Sequence, residues 1–272
     1  MQHSSAALRT VPVDSRAAFV ALLPDGSIVT RERVAAVAAT AVGGQVWAVM
    51  AEGALCRFRA DGTELGAPLP LGALAGEITI VGSTRGPRAV LVESDRWCAV
   101  IRERDDGSCA VDELGARTPD RRVLVGARAA ERRGAGVRLG QMELAIPADL
   151  VAARIGASAV VMDGSTLLIE MVGATSATVM LYSLRQGKLN ARIRIGESRV
   201  VAVAERTGLT VLARGEHIAL LDVREGRCIA ERILMSPVAA CAIDEVGAVI
   251  AIADEAGNTI RLGRALTDVA DA

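Results

Sequence analysis

The chain has 272 residues, 31 basic and 32 acidic side chains and a formal net charge of -1, so no global field draws it to nucleic acid or an anionic membrane surface. Hydrophobic residues make up 51% but aromatic ones only 2%, so the core is built from Ala, Val, Leu and Ile and an aromatic ligand cage is disfavoured. Five scattered cysteines, Cys56, Cys98, Cys109, Cys228 and Cys241, form no CxxC pair and read as reduced thiols rather than a disulfide framework or zinc site.

The first sixteen residues, MQHSSAALRTVPVDSR, lack the continuous apolar run of a secretory signal, so a cytoplasmic location is expected. AAFVALL and GSIVTRE flank Pro24-Asp25-Gly26, a hairpin signal with no room for two more strands before Val34. ALRTVPV or a neighbouring strand is then expected to complete the last sheet, leaving no open edge. Residues 34–51, VAAVAATAVGGQVWAVMA, carry no charge over a length close to a membrane span. Gly43-Gly44 and Gln45 interrupt them, so two strands joined at the glycine pair are predicted and no membrane span is expected.

From there short apolar strands and Gly turns recur about every 40 residues. ALCRFRA and ELGAPLPL close the first unit, and ITIVGS, AVLVES, CAVIRE and CAVDEL form the next. The stretch from Arg122 to Ile155 is a unit by spacing, with RVLVGA and QMELAIP its clear strands. AVVMDG, TLLIEMV, ATVMLYSL and LNARIRI follow, then VVAVAE, GLTVLA, HIALLDV and CIAERI with turns at Thr207-Gly208, Gly215-Glu216 and Glu225-Gly226. The last unit reads VAACAID, AVIAIAD and NTIRLGR, without a clear fourth strand.

One small sheet per unit, burying its faces only against its neighbours, describes an all-β propeller of four-stranded antiparallel blades. The expected single domain spans 1–272, with a partial unit at 1–33 and blades at 34–75, 76–118, 119–157, 158–197, 198–235 and 236–272. That spacing favours seven units, and six if the N-terminal hairpin merely extends a blade. The first strand of each unit is rich in small residues, as a position crowded toward the ring axis demands. Arg57 and Arg59 around Phe58, and Arg192 and Arg194 around Ile193, share a strand face and are expected at a solvated outer rim.

The third and fourth strands resemble WD-repeats: HIALLDVREGRCIAERI places Leu221-Asp222, and TVMLYSLRQGKLNARI places Tyr182-Ser183, where that family has its Trp-Asp pair. VAACAIDEVGAVIAIADEAGNTIRL is similar to a terminal WD-repeat blade of bacterial multi-domain signalling and defence proteins. No unit keeps the Trp or the Gly-His pair, so the resemblance implies the propeller fold and not a partner site.

Reactive constellations are sparse. The two histidines, His3 and His217, make a nucleophilic triad an unfavoured reading, with His217 expected in a hairpin turn. Glu170, inside TLLIEMV, is either a buried acid, an outward residue sharing a face with Leu168 and Val172, or the partner of a neighbouring-blade Arg. Asp61 and Asp105-Asp106 lie in Asp-Gly turns, without the D-x-D-x-D-G loop of a calcium site. GxxxxGK[ST] is absent, and no cofactor is expected.

The one local positive run, Arg121 to Arg138, holds no aromatic residue to stack on a base, which disfavours nucleic acid. As an extended loop it is a candidate protein-docking site through Arg128, Arg132, Arg133 and Arg138, since guanidinium groups pair bidentately with carboxylates. Trp47 and Trp97 are expected in the core rather than as anchors. The function expected is a non-catalytic protein-interaction scaffold or regulatory subunit of a bacterial assembly of signalling or defence type. The alternative is a propeller enzyme or a small-ligand or metal binder using the central channel.

Overall fold

The computed structural model describes residues 20–22, 28–30, 36–42, 44–59, 61–72, 78–83, 88–116, 123–125, 128–244 and 246–268. A hairpin of β1 (Val20–Leu22) and β2 (Ile28–Thr30) precedes six antiparallel sheets. The first blade holds β3 (Ala36–Val42), β4 (Gln45–Met50), β5 (Ala54–Phe58) and β6 (Leu69–Pro70). The second holds β7 (Thr79–Ser83), β8 (Ala89–Glu93), β9 (Cys98–Glu103) and β10 (Cys109–Gly115). The third holds β11 (Val123–Val125), β12 (Arg128–Arg133), β13 (Gly136–Leu139) and β14 (Met142–Ala145).

The fourth blade is β15 (Arg154–Val161), β16 (Thr166–Val172), β17 (Ala177–Ser183) and β18 (Lys188–Gly196). The fifth is β19 (Arg199–Val203), β20 (Leu209–Arg214), β21 (His217–Asp222) and β22 (Arg227–Ile233). The sixth has three described strands, β23 (Val238–Ile243), β24 (Val249–Asp254) and β25 (Thr259–Gly263). Within each complete blade the strands pair in chain order. The first strands of successive blades lie side by side, with β1 against both β23 and β3, which closes a ring.

Six blades correct the favoured count of seven, because the N-terminal unit pairs only two short strands in the gap between the sixth and first blades. Residues 154–157, placed by spacing in the third blade, pair with β16 and open the fourth. ALRTVPV, His3, Arg121, Arg122 and the Pro24-Asp25-Gly26 turn lie outside the described residues.

The fourth blade shows why composition changes from strand to strand. Every residue of β16 is buried, because both its faces meet neighbouring blades, so an unbroken apolar run is required there. On the outermost strand, β18, exposed Lys188, Asn190, Arg192 and Arg194 alternate with Leu189, Ala191, Ile193 and Ile195, which pack inward. Seams between blades are filled by shared aliphatic clusters, such as Leu168, Val179 and Leu181 of the fourth blade with Val200, Leu212 and Leu221 of the fifth.

The uncharged stretch from Val34 becomes β3 and β4 with a turn at Gly44, whose φ of 79° suits glycine. No helix among the described residues is long and apolar enough to cross a membrane. Trp47 is fully buried, while Trp97 packs at the edge of the same cluster. Arg57 departs from the expected solvated rim. Its guanidinium lies 5.6 Å over the Trp47 ring, 2.5 Å from Glu103 Oε1, and donates to the Gly107 carbonyl at 2.8 Å. Glu103 also receives Arg88 at 2.8 Å, so a charged knot ties the first blade to the second.

Candidate functional site

The Arg-rich run is a hairpin rather than an extended loop: β12 and β13 pair through Glu131 with Arg138, Arg132 with Val137 and Arg133 with Gly136. Ala130 and Val137 of this pair are buried in the core cluster, with Leu139 packed against it, and the charged residues between them obscure the period-two pattern that a strand reading needs. Arg132 donates to the carbonyls of Val151 and Ala153, on the connection into the fourth blade, and so stitches two blades together. Arg133 is exposed and lies 3.6 Å from Glu131, and exposed Arg138 donates through Nε to the Gly140 carbonyl at 3.2 Å. Arg128 opens β12 opposite Val125, and its side chain lies outside the described residues.

Small side chains line the ring axis, including Ala157, Ser158 and Ala159 of β15 and Ala240, Cys241 and Ala242 of β23, all half-buried. Burial pushes the Cys241 thiol up from its ordinary value. Among the described residues no three His, Cys, Asp or Glu side chains come close enough to hold a metal ion. The turn aspartates serve local geometry. Asp61 accepts the Thr63 amide at 2.8 Å, and Asp106 accepts the amide and hydroxyl of Ser108 at 2.9 and 2.6 Å. Those hydrogen bonds hold both carboxyls below the ordinary carboxylate value.

Glu170, only 2% exposed, meets no arginine among the described residues but two backbone amides: Ala157 N at 2.9 Å from Oε2 and Val200 N at 3.1 Å from Oε1. The amides come from the inner strands of the fourth and fifth blades, beside a β-bulge in each. Gly156 makes room for this clamp, since a Cβ there would stand 2.2 Å from Oε2. Both oxygens are therefore committed to holding the seam.

Above that seam, where β19 and β21 begin and β20 and β22 end, lies a groove of about 550 Å³. Ser198, Leu212, Arg214, His217, Glu231, Arg232 and Ile233 line it, with Ile218 and Ala219. Cross-strand pairing brings these groups together: Leu212 opposes Ala219 and Ala219 opposes Glu231, while Arg214 opposes His217 and His217 opposes Ile233. His217 thus opens a strand instead of sitting in the turn, and it is exposed. Arg214 pairs with Glu197 at 3.1 Å; Arg232 reaches Asp268 and the Leu266 carbonyl, each at 3.0 Å.

In this groove Ile233 is 65% exposed, and Met235, two residues further along in the connection to the sixth blade, is 97% exposed. The sequence signal for this site is an apolar residue placed past the end of a strand, in Ile233-Leu234-Met235-Ser236-Pro237, of which only Leu234 turns into the core.

The structure is thus that of a six-bladed β-propeller with a mixed polar and apolar groove on one face of its ring. It is similar to a chain of hydrazine synthase from Kuenenia stuttgartiensis, with a TM-score of 0.63 and 11% sequence identity over 94% of this chain and 98% of that one. At that identity the likeness concerns the fold alone. A scan against protein-family models found no match, and neither did a search of curated proteins.

Proposed function

We propose that this propeller is a non-catalytic interaction platform, a scaffold or regulatory subunit of a cytoplasmic bacterial assembly of signalling or defence type, built on a degenerate WD-repeat plan. The observation that carries the reading is exposed Ile233 in the fifth-blade groove, followed two residues further along the chain by exposed Met235. A rigid ring that presents an apolar anchor beside polar groups has the anatomy of a docking surface, in which a few residues hold most of the binding energy. The small aliphatic lining of the inner strands supports a use of the outer face over the channel.

Arg133 and Arg138 remain part of this reading as a second, charged contact region, whereas Arg132 is occupied in joining blades. The test is affinity purification from the native host with mass spectrometry, comparing the wild type with Met235→Glu and with Arg133→Glu. Met235→Glu is expected to lose the proteins that the wild type retains, and Arg133→Glu to weaken their recovery. The same proteins at the same level from Met235→Glu reject the reading.

A further inference from the structure

The groove's charges are unevenly satisfied. Arg214 and Arg232 point to acids outside the lining, Glu197 and Asp268. Glu231 is the only carboxylate in the lining, and among the described residues it has neither an ion pair nor an accepted hydrogen bond. An incoming anion would meet Glu231 and would have to displace Glu197 or Asp268 from its arginine. An incoming cation finds a carboxylate with both oxygens available. Around it, half-buried Ala219 and exposed Ile233, backed by buried Leu212, give an aliphatic surface of the kind on which the stem of a long basic side chain lies while its charged head stays hydrated.

We infer that the groove takes a lysine or arginine side chain of a protein partner, with its stem on Ala219 and Ile233 and its cation at Glu231. An apolar residue beside it in the partner sequence would cover Ile233 and Met235. The occupant is therefore a basic and apolar peptide segment; an acidic peptide is the opposing outcome. This inference rests on the fifth-blade rim being the docking face and adds the chemistry of what docks there. Arg is the better fit for a shallow, half-solvated site, because its guanidinium can take both carboxylate oxygens of Glu231 at once.

The experiment uses the full chain, isotope-labelled, titrated with three capped tripeptides: Leu-Arg-Leu, Leu-Gln-Leu and Leu-Glu-Leu. The Arg peptide is expected to shift the amide resonances of His217, Ala219 and Ile233 and to bind about two- to fivefold more tightly than the Gln peptide, the range of a partly exposed ion pair. Glu231→Gln is expected to erase that preference. Tighter binding of the Glu peptide, an Arg preference that survives Glu231→Gln, or shifts confined to residues elsewhere overturns the inference. Failure here with Met235→Glu still abolishing partner recovery would leave the docking face standing and remove only its cation chemistry; a partner that survives Met235→Glu removes the docking face itself.

Discussion

Replacing Glu170 by Ala is the sharpest test of how adjacent blades are joined. The side chain is 2% exposed and its two oxygens accept the Ala157 and Val200 amides, so truncation leaves two buried donors without acceptors. Each such donor costs about 1–3 kcal/mol, which sums to about 2–6 kcal/mol for the variant. Glu170→Gln keeps the shape, but its NH2 group faces one of the two amide donors, so only one bond survives and the expected loss is about 1–3 kcal/mol.

Gly156→Ala supplies the other side of the cycle, because its Cβ would press to 2.2 Å from Glu170 Oε2. In the double variant Gly156→Ala/Glu170→Ala the added methyl is relieved of Glu170 and keeps only its contact with Val172 Cγ2, 2.9 Å away, so the two costs are expected to sum to more than the double variant shows, with a coupling of about 1 kcal/mol or more. The assay is urea denaturation at pH 7, followed by tryptophan fluorescence and far-ultraviolet circular dichroism together, so that departure from two-state behaviour is visible. A Glu170→Ala variant within about 0.5 kcal/mol of wild type, the range of an ordinary surface substitution, refutes the clamp.

Further outcomes follow from other contacts. Tyr182 donates its hydroxyl to the Ala145 carbonyl at 2.9 Å across the third and fourth blades, so Tyr182→Phe is expected to cost about 1 kcal/mol in the same assay. Burial raises the Cys56 thiol to about 11, and Cys98 is also buried, whereas Cys228 is exposed. A thiol-disulfide reagent at pH 8 should therefore label Cys228 first. Burial and then the Glu231 charge raise that thiol, so Glu231→Gln should speed the labelling; faster labelling of Cys56 or Cys98 contradicts the burial pattern. The Asp149 carboxyl is held below its ordinary value, first by its hydrogen bond from Arg192. A depressed carboxyl contributes above its unfolded value and loses that contribution as pH falls through the folded one. Carboxyl resonances should show the Asp149 midpoint rising in Arg192→Gln, and an unmoved midpoint contradicts the pairing.

Ring architecture was legible because period and turn chemistry are local: the TLLIEMV run of β16, the Gly215-Glu216 hairpin and the alternation along β18 each follow from which faces are covered. Blade count was less so, since AAFVALL and GSIVTRE read as strands whether they begin a full sheet or fill a gap. Arg128 to Arg138 misled for a physical reason: a hairpin whose outward face is charged and whose inward face offers Ala130, the Arg132 stem and Val137, with Leu139 just beyond, lacks the apolar alternation that marks strands. Glu170 and Arg57 show the complementary limit. A buried charge is visible in sequence, but its partners, two amides in one case and Glu103 with the Trp47 ring in the other, lie on strands that only the closed ring brings together. The groove was hidden because its residues are distributed over β20, β21 and β22, none unusual alone.

The docking face is tested most directly by placing the photo-cross-linking residue p-benzoylphenylalanine at position 235 in the native host, with position 246 as control. Both sites are exposed, Met235 at 97% and Val246 at 41%, and Val246 lies in the β23–β24 connection at the opposite end of the ring. A discrete cross-linked protein from position 235, absent from 246 and lost on Ile233→Glu, is the expected result. Identical product patterns from both positions, or none from 235, would contradict an interaction platform centred on the fifth-blade rim.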